Sequence, residues 1–432
     1  MKFFKKNLLI ILIFLGFFLS RFYILNNPPP YYSDVNHDYQ RYANMWRGGL
    51  TPYLKHFYEY PPATLPILYF PLMVDQWGIG QYYQNYRVQA FAFDLLFFIF
   101  ILKAILSLKI SKKSKTISLL FYLLAPIIAK DFFYEGLDLI FSGTLALAII
   151  GLLFYSQKKF FKRVLFYSLF WLSTSIKFLT APLMVFFFYL KKLEFKKELK
   201  AFVLGFLIIW AIPLAIFRSS LSVMFVFHTR RALKYASFPS FIVETINYWT
   251  NSEERFNQAP DFQLMGPISM QAEKIVDIVF PLSILLVLIY SLFIILKPNF
   301  KKLLTFLNKA IFFQKFSLSH INPYMFSLKI SLIYIFTIFL TGKVFSQPFH
   351  IWFIPLIALF PFKSIKRQLG FISLATWLLI IDTTPWISID EGIMVAPPLP
   401  SKFFIYLARF LPMFVLLIMS LKLPNKHENK IK

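Results

Sequence analysis

The stretch at residues 276–296, VDIVFPLSILLVLIYSLFIIL, carries one charged side chain, that of Asp277. The hydrocarbon core of a bilayer is about 30 Å thick, and about 20 apolar residues of α-helix cross it. Lipid offers the backbone no hydrogen-bond partner, so a segment inside it must satisfy its own N–H and C=O groups, as a helix does. The stretch therefore predicts a membrane-spanning helix.

Runs of this kind recur along the whole chain of 432 residues, of which 58% are hydrophobic and 15% charged. About 25% of the residues of a soluble domain are charged, so this composition is that of a protein whose solvent is lipid. The predicted fold class is an all-α polytopic membrane protein with about 10–13 transmembrane helices, forming one integral membrane domain over residues 1–432. Helices are predicted near residues 8–25, 88–108, 116–129, 137–156, 164–176, 178–190, 201–218, 276–296, 325–341, 349–361, 369–386 and 401–421.

Basic residues mark one side of these helices. Lys297, Lys301 and Lys302 follow the quoted stretch, and six further basic segments fall on the same side when the predicted helices alternate. Those segments are residues 2–6, 109–115, 158–163, 191–200, 363–367 and 422–432. By the positive-inside rule this side, with both termini, is predicted to be cytoplasmic. The net charge of +26 thus reflects topology, and nucleic acid is not expected as a partner.

Three segments on the opposite side are long or unusual: residues 26–87, 219–275 and 382–400. They are rich in aromatic residues and proline. Short apolar patches such as residues 65–74 favour helices that lie in the membrane interface instead of crossing it. Any chemistry is therefore expected on the extracytoplasmic side, in these outer loops.

The first outer loop carries two carboxylates, Asp34 and Asp38, directly after the first predicted helix. A base that acts on a lipid-linked substrate must lie at the depth of the reacting phosphate, which is the headgroup level. The alternative is a solvated loop in which Asp34 is a helix N-cap. Spacing alone does not decide between these interpretations.

The first outer loop resembles a known family. It contains Ser33-Asp34, Tyr39, Tyr42, the segment GLTPY at residues 49–53 and the segment EYPP at residues 59–62. This series is similar to the first luminal loop of the GT-C glycosyltransferases, in particular the mannosyltransferase-like family 87.

Later segments resemble the same family in the same order. They are Gly136 and Asp138, the segment IKF at residues 176–178, Phe227-His228 with RALKYAS at residues 231–237, and GKVFSQPFHIW at residues 342–352. Two positions depart from the family pattern. Ala236 stands where an acidic residue is expected, and Pro348-Phe349 stands where glutamine-tyrosine is more usual. These departures bear on the specificity for the acceptor more than on the type of reaction.

The resemblance implies a GT-C-like bundle that transfers a hexose, with mannose the expected sugar, from a polyprenyl-phosphate donor to a lipid-linked or glycan acceptor. It implies inversion at the anomeric carbon and leaves the need for a divalent cation open. Asp34 is the implied base. The implied donor-phosphate ligands are Arg231, Lys343, Lys177 and His228, and the implied supporting or acceptor-binding residues are Asp38, Tyr39, Asp138, Glu59, Tyr60 and Ser237.

Each of these residues also has an ordinary explanation. A long cationic side chain at a helix end can snorkel to the membrane interface. The negative charge of Asp138 can interact favourably with the dipole of the helix that begins there. No glycine-rich phosphate loop, zinc-ligand spacing or serine triad occurs in the sequence.

Three other functions stay open. A transporter or flippase of lipid-linked saccharides should carry ionisable residues near helix centres. The predicted helix centres carry almost none, although Arg409 and Lys329 have no assigned role. A glycan polymerase or ligase would use a similar site, and a non-catalytic scaffold would need none of these residues.

The predicted topology can be tested by cysteine scanning, because the chain contains no cysteine of its own. Single cysteines in residues 26–87, 219–275 or 382–400 are expected to react with a membrane-impermeant reagent in intact cells. Cysteines near residues 112, 160, 196, 300 and 365 should react only after permeabilisation. Labelling at position 34 only after permeabilisation would reverse the orientation.

Overall fold

The structure is a computed structural model, and it describes most of the chain. The described residues are 2–29, 33–153, 159–183, 195–234, 236–250, 255–257, 263–296, 321–383, 388–390, 393–395 and 401–425. They form a predominantly helical protein.

Sixteen α-helices are present in the described part of the chain. The first eight are α1 Lys2–Asn26, α2 Gln40–Arg47, α3 Thr64–Gln76, α4 Tyr82–Ser107, α5 Lys112–Ile128, α6 Lys130–Phe133, α7 Asp138–Leu153 and α8 Phe160–Thr174. The other eight are α9 Phe195–Phe217, α10 Val223–Arg230, α11 Phe238–Thr250, α12 Pro267–Leu296, α13 Pro323–Thr341, α14 Phe353–Leu359, α15 Ile365–Thr383 and α16 Ser401–Leu421.

Shorter elements connect the helices. A π-helical turn spans Val35–Tyr39, and 3₁₀ turns span Phe178–Leu183, Arg218–Ser222 and Gln347–Trp352. Two antiparallel hairpins lie in the predicted outer loops, one pairing β1 Arg255–Asn257 with β2 Gln263–Met265, the other pairing β3 Ser388–Asp390 with β4 Ile393–Val395. Among the described residues, these three-residue strands depart from the predicted all-α fold.

Within the described residues, five helical segments are long and apolar enough to cross a membrane, as expected of a helical membrane protein. They are Tyr82–Ser107, Lys196–Phe227, Pro267–Ile295, Pro323–Thr341 and Phe403–Leu421, with three shorter apolar helices at Ile10–Asn26, Asp138–Leu153 and Gln347–Leu359. The count of 10–13 spans stays a prediction. Of the predicted helix 178–190, the first part is the 3₁₀ turn Phe178–Leu183, and residues 184–190 lie outside the described residues.

The predicted interfacial patch at residues 65–74 lies in α3, which has 13 residues and packs against α4. At about 1.5 Å per residue, α3 is too short to cross a hydrocarbon core of about 30 Å.

Helix α13 occupies the centre of the bundle. In its apolar window 94% of the residues are buried, against 17% in the window of Lys196–Phe227. Large apolar side chains point outward from the peripheral helices, for example Ile212 on α9 and Ile278 on α12. A soluble protein would bury such side chains, so this outer surface suits contact with lipid tails.

Buried ion pairs lie inside the bundle, which corrects the prediction that helix centres carry almost no charge. Arg21 of α1 bonds Asp94, in the middle of α4, at 2.8 Å, and both side chains are fully buried. The prediction did not take account of Arg21 and Asp94, which lie 73 residues apart in the sequence and pair only in the folded protein. A lone charge in lipid is costly, and a bonded pair is far less so.

The segments predicted on one side of the membrane contact each other. At the predicted outer end, the Ala63 N–H donates to Ser175 O at 3.0 Å. At the opposite end, the Ser114 hydroxyl bonds Gln368 Oε1 at 2.8 Å. Helices that alternate in direction place these segments at the same end of the bundle. The orientation relative to a bilayer stays a prediction.

Candidate active site

Arg87 fixes the place where the chain leaves the first helix. Its guanidinium donates to Ile24 O at 2.7 Å and to Leu25 O at 3.0 Å, carbonyls that the end of α1 leaves without helical partners. The same guanidinium pairs with Glu135 at 2.9 Å. Arg87 thereby joins the end of α1, the start of α4 and the turn before α7.

Asp34 lies just beyond this junction, at the start of the π-helical turn. The Tyr39 N–H donates to Asp34 O at 2.8 Å, but the Asp34 side chain makes no capping hydrogen bond. The Ser33 hydroxyl accepts from Val35 N at 3.1 Å instead. The N-cap explanation of Asp34 is therefore wrong. π-helical turns are rare and are frequently found at functional sites.

Gly136 keeps a small space open beside Asp34. A Cβ atom on Gly136 would lie 3.8 Å from Asp34 Oδ2, 3.2 Å from Asp138 Oδ2 and 3.7 Å from the Tyr39 hydroxyl. That hydroxyl accepts from Leu137 N at 3.2 Å, which ties the π turn to the start of α7. Two carboxylates and a tyrosine hydroxyl, all predicted site residues, thus face one space.

Asp138 divides its two oxygens between different neighbours. Oδ1 accepts from the Lys177 ammonium and from the Trp352 indole N–H, and Oδ2 faces the space at Gly136. The ammonium also lies 4.9 Å from the centre of the Phe349 ring and 5.0 Å from that of Trp352. Lys177 therefore belongs to the site as the partner of Asp138.

The pKa of the Asp34 carboxyl is raised to about 6. The main cause is burial, which disfavours the charged form. The positive charge of Lys234 lowers the pKa, and the negative charge of Asp138 raises it. Asp34 is thus a stronger base than an ordinary carboxylate and is still largely ionised at pH 7.

Lys234 is a site residue that sequence reasoning missed, although it stands in the quoted segment RALKYAS. Hydrogen bonds fix the backbone of this segment at Leu233 and at Lys234. The Lys234 N–H donates to Lys343 O at 2.9 Å, and Leu233 O accepts from Leu264 N at 2.8 Å. These two backbone hydrogen bonds fix the segment that carries Lys234, whose charge acts on Asp34.

The predicted phosphate ligands Lys343, Arg231 and His228 lie in the neighbouring segments. The Lys343 ammonium pairs with Asp277 at 2.6 Å, and the Arg231 guanidinium lies 4.7 Å from the centre of the Phe227 ring. His228 lies in α10, and its side chain is outside the described part of the molecule.

Ser237 and Asp38 have other contacts. The buried Ser237 hydroxyl accepts from Ser240 N at 3.2 Å, which caps the start of α11. Asp38 pairs with Arg41 at 3.0 Å on the exposed side of the π turn. Neither contact brings the side chain to Asp34.

Glu59 and Tyr60 lie on an aromatic cluster behind Tyr39. The Tyr60 ring meets the Tyr39 ring edge to face at 5.6 Å. Burial, followed by the charge of Glu59, raises the pKa of the Tyr60 hydroxyl. Tyr53 hydrogen-bonds Tyr60 O and has a φ of +63°. The aromatic cluster thus packs against Tyr39, the last residue of the π-helical turn.

No protein-family model matches this chain, and no curated protein matches it. The motifs and the geometry above therefore carry the functional argument. Among the described residues, no group of three or more His, Cys, Asp or Glu side chains could hold a metal ion.

Replacing Asp138 by asparagine removes a negative charge that favours the protonated form of Asp34. We therefore expect the pKa of Asp34 to fall below about 6 in Asp138→Asn. Infrared titration of protein with isotope-labelled aspartate, with the Asp34→Asn spectrum subtracted, measures this shift.

Asp75→Asn is the control, since Asp75 is not among the charges that shift the pKa of Asp34. An unchanged or higher pKa in Asp138→Asn would show that the two carboxylates do not interact.

Proposed function

We propose that this chain is a membrane glycosyltransferase of the GT-C type. It would transfer a hexose, with mannose as the expected sugar, from a polyprenyl-phosphate donor to an extracytoplasmic lipid-linked or glycan acceptor. The observation that carries the proposal is the Asp34 carboxylate. It caps no helix, lies beside Asp138 and Lys234, and has a pKa raised to about 6.

The reaction is a single displacement. Asp34 accepts the proton of the acceptor hydroxyl, and the hydroxyl oxygen forms a bond to the anomeric carbon. The bond from that carbon to the phosphate oxygen breaks on the opposite face, and polyprenyl phosphate leaves with the electron pair. The configuration at the anomeric carbon is therefore inverted.

The departing phosphate gains negative charge, which cations at the site stabilise. Lys234 acts on Asp34 electrostatically, and Lys343 and Arg231 lie in segments that contact or contain the Lys234 loop. Lys177 instead neutralises Asp138. The proposal thus transfers part of the phosphate-binding role from Lys177 to Lys234.

The placement of the site agrees with a lipid-linked donor. Asp34 follows α1 by eight residues, and Lys177 follows α8 by three. Both lie at the helix ends opposite the basic loops, which the positive-inside rule assigns to the outer face. A phosphate at headgroup depth would lie within reach of such positions.

A transporter or flippase finds less support. The ion pair of Arg21 and Asp94 inside the bundle is held by many partners, whereas the Lys329 ammonium of α13 lies 5.6 Å from the centre of the Tyr290 ring. Asp94 accepts from Arg21 and from the hydroxyls of Tyr122 and Tyr134, while Arg21 also donates to Leu123 O. Groups bonded in this way suit a fixed brace better than a substrate path. A glycan polymerase or ligase would use the same base and differs only in its acceptor.

Asp34→Asn is expected to abolish glycosyl transfer while leaving the protein inserted, folded and able to bind donor. Asparagine keeps the shape of aspartate but cannot accept the proton, so the loss should appear in turnover. The assay is transfer by purified, equally folded variants in nanodiscs with a polyprenyl-phosphate-mannose donor.

Asp38→Asn is the matched control, because Asp38 lies in the same turn but pairs with Arg41 on its exposed side. We expect a smaller loss there. Near wild-type turnover of Asp34→Asn with an inactive Asp38→Asn would assign the base to Asp38, and full activity of both would exclude the enzyme.

Lys234→Met and Arg231→Ala are each expected to lower transfer by about 10²–10³, the loss found when one charge-stabilising group is removed. Lys234→Arg and Arg231→Lys should recover part of it. Lys55→Met is the control, since Lys55 is an exposed cation of the first outer loop. An active Arg231→Ala beside an inactive Lys234→Met would exclude a role of Arg231 in stabilising the phosphate.

A further inference from the structure

Three charged or polar side chains meet inside the bundle at a distance from the proposed chemistry. Arg409 of α16 holds Asp382 Oδ1, near the end of α15, through two guanidinium nitrogens. His350 Nδ1, in the 3₁₀ turn Gln347–Trp352, lies 2.8 Å from Asp382 Oδ2. All three residues are at most 2% exposed.

Stability does not explain this triad. Burying charge is costly, and well-packed apolar residues in place of a buried ion pair are often neutral or stabilising. The buried set therefore has to be considered for what else its members contact.

Arg409 reaches the second outer loop. Its Nη1 donates to Ala236 O at 3.4 Å. Ala236 has a φ of +71°, in the left-handed region that disfavours every residue with a Cβ atom. Such backbone persists only where its surroundings hold it, and it is frequent at functional sites. Ala236 lies two residues after Lys234, so the guanidinium holds the loop that carries this lysine.

The segment that contains His350 also contacts Asp138 and the backbone of Lys234. The 3₁₀ turn that contains His350 also contains Trp352, whose indole N–H bonds Asp138. The segment just before this turn contains Lys343, whose carbonyl accepts from Lys234 N. The loop of Lys234 is thus held by Arg409 on one side and by the residue 342–352 segment on the other.

We propose that Arg409, Asp382 and His350 form a positioning triad for the loop that carries Lys234. The inference rests on the proposed function, because the consequence of that position is the state of the proposed base. None of the three residues touches the reacting atoms. They act through the Ala236 carbonyl, which lies two residues after Lys234.

A triad that positions Lys234 affects the pKa of Asp34, whereas a triad that only stabilises the fold does not. The charged groups with the largest effects on the pKa of Asp34 are Lys234, Asp138, Asp38 and Lys177. Of these, Lys234 alone belongs to the loop that Arg409 contacts. Losing the triad should therefore act on Asp34 as losing the Lys234 charge does, by raising its pKa and moving the acid limb of the pH–rate profile upward.

The experiment compares four proteins: wild type, Lys234→Met, the paired variant Arg409→Met with Asp382→Leu, and the combination of all three substitutions. The paired variant replaces the ion pair by apolar groups, a change that commonly preserves folding. We expect it to lose at least about tenfold in transfer, as misplaced groups do, and to shift the acid limb in the same direction as Lys234→Met. The combined variant should behave as Lys234→Met alone, because both changes act through one group.

Arg163→Met with Glu198→Leu is the matched control. It removes another buried ion pair, of 3.1 Å, that joins the starts of α8 and α9. It should leave the acid limb in place. If the Arg409 pair variant yields no folded protein, Arg409→Lys serves instead, because it keeps the charge but loses the fork that reaches Ala236.

An acid limb that stays at the wild-type pH in the Arg409 variants would overturn the triad's role. So would a combined variant whose loss equals the product of the separate losses. A wild type that transfers no hexose counts against the proposed function instead. The infrared titration of Asp34 then provides the test, and an unshifted Asp34 pKa in the Arg409 variants would still exclude the inference.

Discussion

The guanidinium of Arg87 is the contact on which the site depends most. It terminates α1 by bonding the Ile24 and Leu25 carbonyls, and it holds Glu135 in the turn that precedes α7. Asp34 lies nine residues after Leu25, and Gly136 follows Glu135 directly. One buried cation thus joins two segments of the chain that lead to Asp34 and to Asp138. Removing it would take the counter-charge from the buried Glu135, which would keep the hydroxyl of Tyr83 as a hydrogen-bond donor.

The buried ion pairs express one physical constraint, the low dielectric of the bundle. Asp94 accepts from Arg21 and from two tyrosine hydroxyls, and Asp382 accepts from two nitrogens of Arg409, because a charge without partners is costly there. Asp34 differs, since its carboxylate does not cap its helix and its pKa is raised mainly by burial. A group that keeps its capacity to accept a proton is what general base catalysis needs.

Local sequence predicted the helices, and long-range contacts could not be predicted. Apolar runs located α4, α9, α12, α13 and α16 because hydropathy is a property of consecutive residues. The contact of Asp138 with Trp352 joins residues 214 positions apart, and nothing local encodes it. The motifs indicated the segments around Lys177 and Lys234, but not which lysine would neutralise Asp138. The two hairpins were missed because strands of three residues show no alternating pattern.

The strength of the Asp34 base results from opposing effects that come from distant parts of the chain. Burial within the first outer loop raises its pKa, Asp138 of α7 adds to this, and Lys234 of the second outer loop acts against both. Burial alone would favour the protonated acid, which cannot take a proton from an acceptor. Strong cationic neighbours alone would give a weak base. A pKa near 6 lies between these limits, so the strength of Asp34 as a base depends on residues from three separate parts of the chain.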